Sequence, residues 1–136
     1  MKNLFGEEVK PPKRNQSSHT RLTSWYCKWY WKKFETKCPE SFGRFHKTWK
    51  ELLDQYNEEQ VILLIFLHFH WYGPDDRDER QYKFLEGARF PLGLLVKNSP
   101  LYKDFAQHVL KIRFDDRESV ADYIIKVIHM HKIVFN

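Results

Sequence analysis

The 136-residue sequence predicts an all-α fold, a compact bundle of about six helices around one buried central helix, with a disordered N-terminal tail. Two observations carry this expectation. Apolar residues recur at three- and four-residue steps through most of the chain, the spacing that lines one face of a helix. Helix-start signals stand where those patterns begin. The expected organisation is a flexible basic tail over residues 1–18 and a single helical domain over residues 19–136.

The tail is read from Lys10 to Ser18, where two prolines and three positive charges occur with no apolar residue. Such a segment cannot bury enough surface to order itself. The pair Leu4-Phe5 is its one sticky element. From Thr20 to Lys37, the residues Leu22, Trp25, Tyr26, Trp29, Tyr30 and Phe34 form one stripe, and Pro39 closes the helix. A second helix is expected from about Pro39 to Gln55, with Phe42, Phe45, Trp49, Leu52 and Leu53 inward. The third start is the clearest, because Asn57 and Gln60 have the spacing of a capping box and Glu58 and Glu59 occupy the first turn.

The run Val61 to Tyr72 that follows is apolar on all sides, which marks a buried central helix ended by Gly73-Pro74. A buried strand competes for so β-branched and aromatic a run, but its length and cap favour helix. Asp75 to Arg80 reads as a charged connector and Gln81 to Leu85 as a short helix stopped by Gly87. A short turn is expected from Pro91 through Val96. Ser99-Pro100 reads as a cap and first helical residue of a helix to about Ile112, with Leu101, Phe105, Val109 and Ile112 inward. Asp115 to Glu118 opens a last helix to about His131, buried through Val120, Ile124, Val127 and Ile128.

Composition narrows the function. Aromatic residues make up 17% of the chain, more rings than a core of this size hides easily, so some should be exposed and suited to interfaces or base stacking. The net charge of +5 favours polyanionic partners. It is also segregated: residues 1–50 hold 12 Lys/Arg against 4 Asp/Glu, whereas the remainder is net acidic. Two cysteines, Cys27 and Cys38, are too few for a secreted disulfide framework, and the N-terminus has no signal-peptide pattern. A reducing cytoplasm is the expected setting. The most apolar stretch, Val61 to Phe69, falls well short of the ~20 residues of a membrane span.

Catalytic patterns are weak. Cys27, Cys38, His46, His68, His70, His129 and His131 are ligand types, but their spacings do not suit zinc, since His-x-His on a helix points its rings to different sides. No nucleophile elbow, phosphate loop or dinucleotide fingerprint occurs. Asp75, Asp76, Asp78 and Glu79 suggest magnesium less than a solvated charged loop, given Arg77 and Arg80 among them. The expectation is a non-enzyme with no cofactor and no metal.

The basic residues form the constellation that points to binding. Arg21, Lys28, Lys32, Lys33, Lys37, Arg44, Lys47 and Lys50 fall on two adjacent predicted helices, beside the exposed-aromatic candidates Tyr30 and Trp31. Lys10, Lys13 and Arg14 extend the patch into the tail. Such cations give a sequence-independent, salt-sensitive hold on phosphates. The alternative reading is a solvated helix face without a partner.

The leading Leu4 to Glu8, the Pro/Lys tail, the Trp/Tyr-rich first helix and the segment Lys50 to Val61 together resemble small proteins encoded by bacteriophages and related mobile elements in replication or host-takeover gene clusters. The resemblance covers about residues 3 to 70. It implies a phage-like accessory protein of replication or transcription, acting on nucleic acid, DNA first, in the host bacterial cytoplasm. The alternative is a non-enzymatic inhibitor that binds a host complex such as a CRISPR effector or RNA polymerase. Leu4-Phe5 also resembles a degenerate form of the peptide that docks on bacterial sliding clamps, though the glutamine that leads such peptides is missing.

Overall fold

A computed structural model describes residues 18–38, 41–70 and 76–131; the side chains of residues 42, 76–79 and 81 are outside the description. Six helices make up the architecture: α1 (Ser18–Phe34), α2 (Phe42–Leu53), α3 (Glu58–His70), α4 (Asp76–Gly87), α5 (Leu92–His108) and α6 (Arg117–His131). No strand occurs among the described residues. Residues 1–17 of the expected tail, the Pro39 stop and the Trp71 to Asp75 segment lie outside them, whereas Ser18, its expected last residue, opens α1.

α3 is the axis of the fold. Its residues from Glu59 to Phe69 are buried on every side, with α1, α2, α5 and α6 packed around it. The capping box forms as the spacing predicts: Gln60 N donates to Asn57 Oδ1, and Asn57 N donates to Gln60 Oε1, each at 2.8 Å. Glu58 and Glu59 then divide the neighbours between them. Glu58 takes Arg21 of α1 and Glu59 takes Arg117 of α6, at 2.7 and 2.8 Å.

The Gln60 side chain has a second duty, since its Nε2 donates to the buried carbonyl of Phe114 at 2.8 Å. Replacing Gln60 by alanine should therefore cost about 2–3 kcal/mol, the sum of a lost cap and an unpaired buried carbonyl, against about 1 kcal/mol for Asn57→Ala. Urea unfolding of the two variants measures the difference.

α1 buries the stripe Leu22, Trp25, Tyr26, Trp29 and Tyr30, as its periodicity requires. Two of its rings reach backbone acceptors, Trp25 Nε1 donating to the Ile62 carbonyl at 3.0 Å and the Tyr26 hydroxyl to the Phe90 carbonyl at 2.6 Å, while Trp29 Nε1 is buried with no partner among the described residues. Those bonds let large amphipathic rings enter the core. Phe90 is fully buried although it and Arg89 both adopt left-handed backbone, with φ of 49° and 61°. The strain is offset by packing Phe90 against Phe69 and Tyr82, with ring centroids 4.9 and 5.7 Å away.

Several boundaries differ from expectation. α2 starts at Phe42 rather than Pro39, because Ser41 caps it by accepting from Arg44 N at 3.3 Å. α4 runs from Asp76, so the supposed connector is largely helical. The turn and helix expected around Ser99-Pro100 are one helix, α5, with Pro100 in its interior. Proline deprives the Val96 carbonyl of its usual donor, and the buried Ser99 hydroxyl supplies one instead at 2.9 Å.

Continuity from Leu92 also rotates the face: Leu92, Leu95, Tyr102 and Ala106 point inward, while Leu101 and Val109 are exposed and Phe105 is half-buried. Ile112 is buried but lies beyond the helix end, past Lys111 in the left-handed region. α6 begins one residue after Asp116, whose carboxylate accepts from Glu118 N at 3.1 Å. Its buried residues are Val120, Ile124 and Val127, with Ile128 half-buried.

His68 is the most buried polar group of α3. Its Nε2 lies 3.0 Å from the Pro91 carbonyl and its Nδ1 2.7 Å from the Tyr102 hydroxyl. A carbonyl only accepts, so Nε2 carries the proton and Nδ1 accepts from Tyr102, which is the pattern of a neutral imidazole. Complete burial lowers its pKa to about 4. No described helix is long and apolar enough to cross a membrane.

Candidate nucleic-acid interface

α1 and α2 lie side by side, joined by the contacts Tyr26–Phe45 and Tyr26–Trp49 and by a 2.8 Å bond from Trp49 Nε1 to Thr23 Oγ1. The predicted cations on this pair separate into two groups. One group is engaged in holding the fold. Arg21 forks onto Glu58 through Nε and a terminal nitrogen at 2.9 and 2.7 Å. Burial would raise the Glu58 carboxyl, but hydrogen bonds from Arg21 and Ser18 and the Arg21 charge outweigh that and hold it low.

Lys32, although exposed, donates to the His131 carbonyl in the last turn of α6 at 2.6 Å, where a cation also suits the helix dipole. Lys33 donates to the Tyr82 hydroxyl at 2.8 Å and sits over the Tyr82 and Phe90 rings. Truncating Lys33 to alanine should cost about 1–2 kcal/mol through the lost bond and ring contact, whereas Lys47→Ala should change stability by no more than ~0.5 kcal/mol. Thermal melts of the two variants distinguish these roles.

The second group faces outward. Lys37, Arg44, Lys47 and Lys50 are exposed, and Lys28 is half-buried at the edge of α1. On α2 the three cations follow one another at three-residue spacing, opposite the buried Phe45, Trp49 and Leu52. Glu51 is exposed on the same helix and tempers the patch. Trp31 is 59% exposed, but its expected companion Tyr30 is only 2% exposed. The two rings are consecutive on the helix and so point about 100° apart, Tyr30 toward the core and Phe34. Lys13, Arg14 and the Leu4-Phe5 peptide lie outside the described residues.

Sequence reasoning missed a cleft of about 520 Å³ between the first half of α1 and α2. Phe45 and Trp49 are buried at its base, and His19, Thr20, Ser24 and His46 line it nearer the surface. The His19 and His46 rings are 4.7 Å apart. Burial, with His46 beside it, holds His19 below its ordinary pKa, and its buried Nδ1 has no hydrogen-bond partner among the described residues. Nothing in the spacing of two histidines 27 residues apart signals this meeting.

The other ligand-type residues are dispersed. His68 is locked in the core, while His70 stacks on Phe66 and approaches Trp29 and His131. Burial lowers His70 to about 4, helped by Lys33, His131 and Lys32. The half-buried Cys27 thiol is hydrogen-bonded to Cys38 and is pushed up by that bond and by burial. Among the described residues no three His, Cys, Asp or Glu side chains converge as a metal site. Comparison of the chain with protein-family models, with curated proteins and with solved structures finds no match in any of the three.

Proposed function

We propose that this protein is a non-enzymatic nucleic-acid-binding accessory protein of the phage-like kind, gripping phosphate backbone through the outer face of α2 and the adjoining end of α1. The observation that carries the reading is the coincidence of charge segregation with exposure. Residues 1–50 hold 12 of the 23 basic residues and only 4 of the 18 acidic ones, and Lys37, Arg44, Lys47 and Lys50 are exposed there. Trp31 adds an exposed ring on which a base can stack. Lys13 and Arg14 of the N-terminal segment extend the same charge, and DNA is the first partner to test.

Exposed apolar side chains elsewhere favour a second reading, capture of a host protein complex such as a CRISPR effector or RNA polymerase. Phe84 on α4 and Met130 on α6 are 64% and 68% exposed, the kind of anchor that protein interfaces use. The Leu4-Phe5 peptide would be a separate handle for a sliding clamp. Salt separates the readings. Binding to labelled single- and double-stranded DNA between low and moderate salt should fall steeply, with a log–log slope of about −0.7 to −0.9 per phosphate contact. Absence of DNA binding at low salt would leave the protein-capture reading in first place.

A further inference from the structure

We propose that the cleft between α1 and α2 receives an unstacked base of a single-stranded nucleic acid, its edge toward His19 and its face against His46. The inference rests on the nucleic-acid reading and adds to it the site where a base, rather than a phosphate, is held. Its volume of about 520 Å³ falls within the ~300–1,000 Å³ of small-ligand sites.

The lining suits a heteroaromatic ring better than an aliphatic side chain. Phe45, with the fully buried Trp49 beside it, closes the cleft with apolar ring, while the hydroxyls of Thr20 and Ser24 and two imidazoles supply polar groups nearer the surface. The buried Nδ1 of His19 lacks a partner among the described residues. A base edge carries both donors and acceptors and so satisfies it in either tautomer; an apolar side chain would leave it dry. His19 is held below its ordinary pKa, which keeps it a neutral donor–acceptor.

Charge complementarity selects the rest of the ligand. On α2 the exposed Lys50 lies one helical turn after His46 and so shares its face at the mouth of the cleft, while Arg44 and Lys47 are exposed further round the helix. A strand whose phosphate meets Lys50 has a base within reach of His46 and the cleft. Duplex DNA keeps its bases stacked and would not fill it.

The experiment uses the full chain and two labelled oligonucleotides of equal length and charge, one of mixed sequence and one with abasic residues throughout. The wild type should bind the base-bearing strand about 5- to 150-fold more tightly, the range for one stacked base. The His19 and His46 ring resonances should shift with that strand alone. Because His46 is exposed, His46→Ala should stay folded, lose most of the preference and keep the wild-type salt slope. Equal binding of both strands by the wild type overturns the cleft and leaves the phosphate-binding reading standing; binding of neither strand overturns both. A preference that survives in His46→Ala but vanishes in Trp31→Ala also overturns the cleft, placing the base on Trp31.

Discussion

Between pH 7 and pH 4.5 the protein should lose on the order of 5 kcal/mol of stability, enough to unfold much of it in a marginally stable domain. The two groups responsible are His68 and His70, each held near pKa 4 in the fold against 6.5 when free, burial being the main cause. A depressed folded pKa means that the unfolded chain binds protons first. Their contribution is therefore complete above about pH 6.5 and is lost as pH falls toward 4, roughly 2–3 kcal/mol for each histidine by pH 4.5. Glu58 acts in the same direction at lower pH, because its carboxyl is held low by Arg21.

Protonating His68 also disturbs a specific network. Nδ1 would become a donor facing the Tyr102 hydroxyl, which now donates to it at 2.7 Å, in a site closed to water. Urea titrations at the two pH values measure the loss. His68→Gln should begin less stable at pH 7 but show about half the acid dependence. A wild-type free energy that is level across this range would contradict neutral, buried imidazoles.

Reversing Lys37, Arg44, Lys47 and Lys50 to glutamate should reduce nucleic-acid affinity at low salt by a hundredfold or more while leaving the fold intact. All four are exposed, where single substitutions usually shift stability by no more than ~0.5 kcal/mol. Each lost phosphate contact removes about 0.7 to 0.9 from the salt slope, so four compound. Lys32 and Lys33 are left untouched because they hold His131 and Tyr82. Trp31→Ala is the companion: loss of a stacked base should cost ~1–3 kcal/mol in binding with no change in melting temperature. Unchanged circular dichroism with unchanged affinity would make the α2 face a solvated surface and move the protein-capture reading forward.

The features legible in the sequence are those encoded by neighbours along the chain. The α1 stripe, the Asn57–Gln60 box and the all-round apolar α3 each follow from spacings of three or four residues, which is the reach of one helical turn. Local signals also misled where a local rule was overridden. Ser99-Pro100 looks like a helix start, yet the Ser99 hydroxyl covers the carbonyl that Pro100 leaves open, and α5 runs through with a rotated face.

Tertiary structure alone decided which partners engage Arg21, Lys32 and Lys33, since those partners are remote. Arg21 meets Glu58 at a separation of 37 residues, Lys33 meets Tyr82 at 49 and Lys32 meets the His131 carbonyl at 99. It also decided that His19 and His46 share a cleft, and that His68 is neutral between Tyr102 and Pro91. A helix pattern specifies which face is buried, because burial follows the period of the helix. It does not specify which helix lies opposite, because that depends on how six such faces pack together around α3.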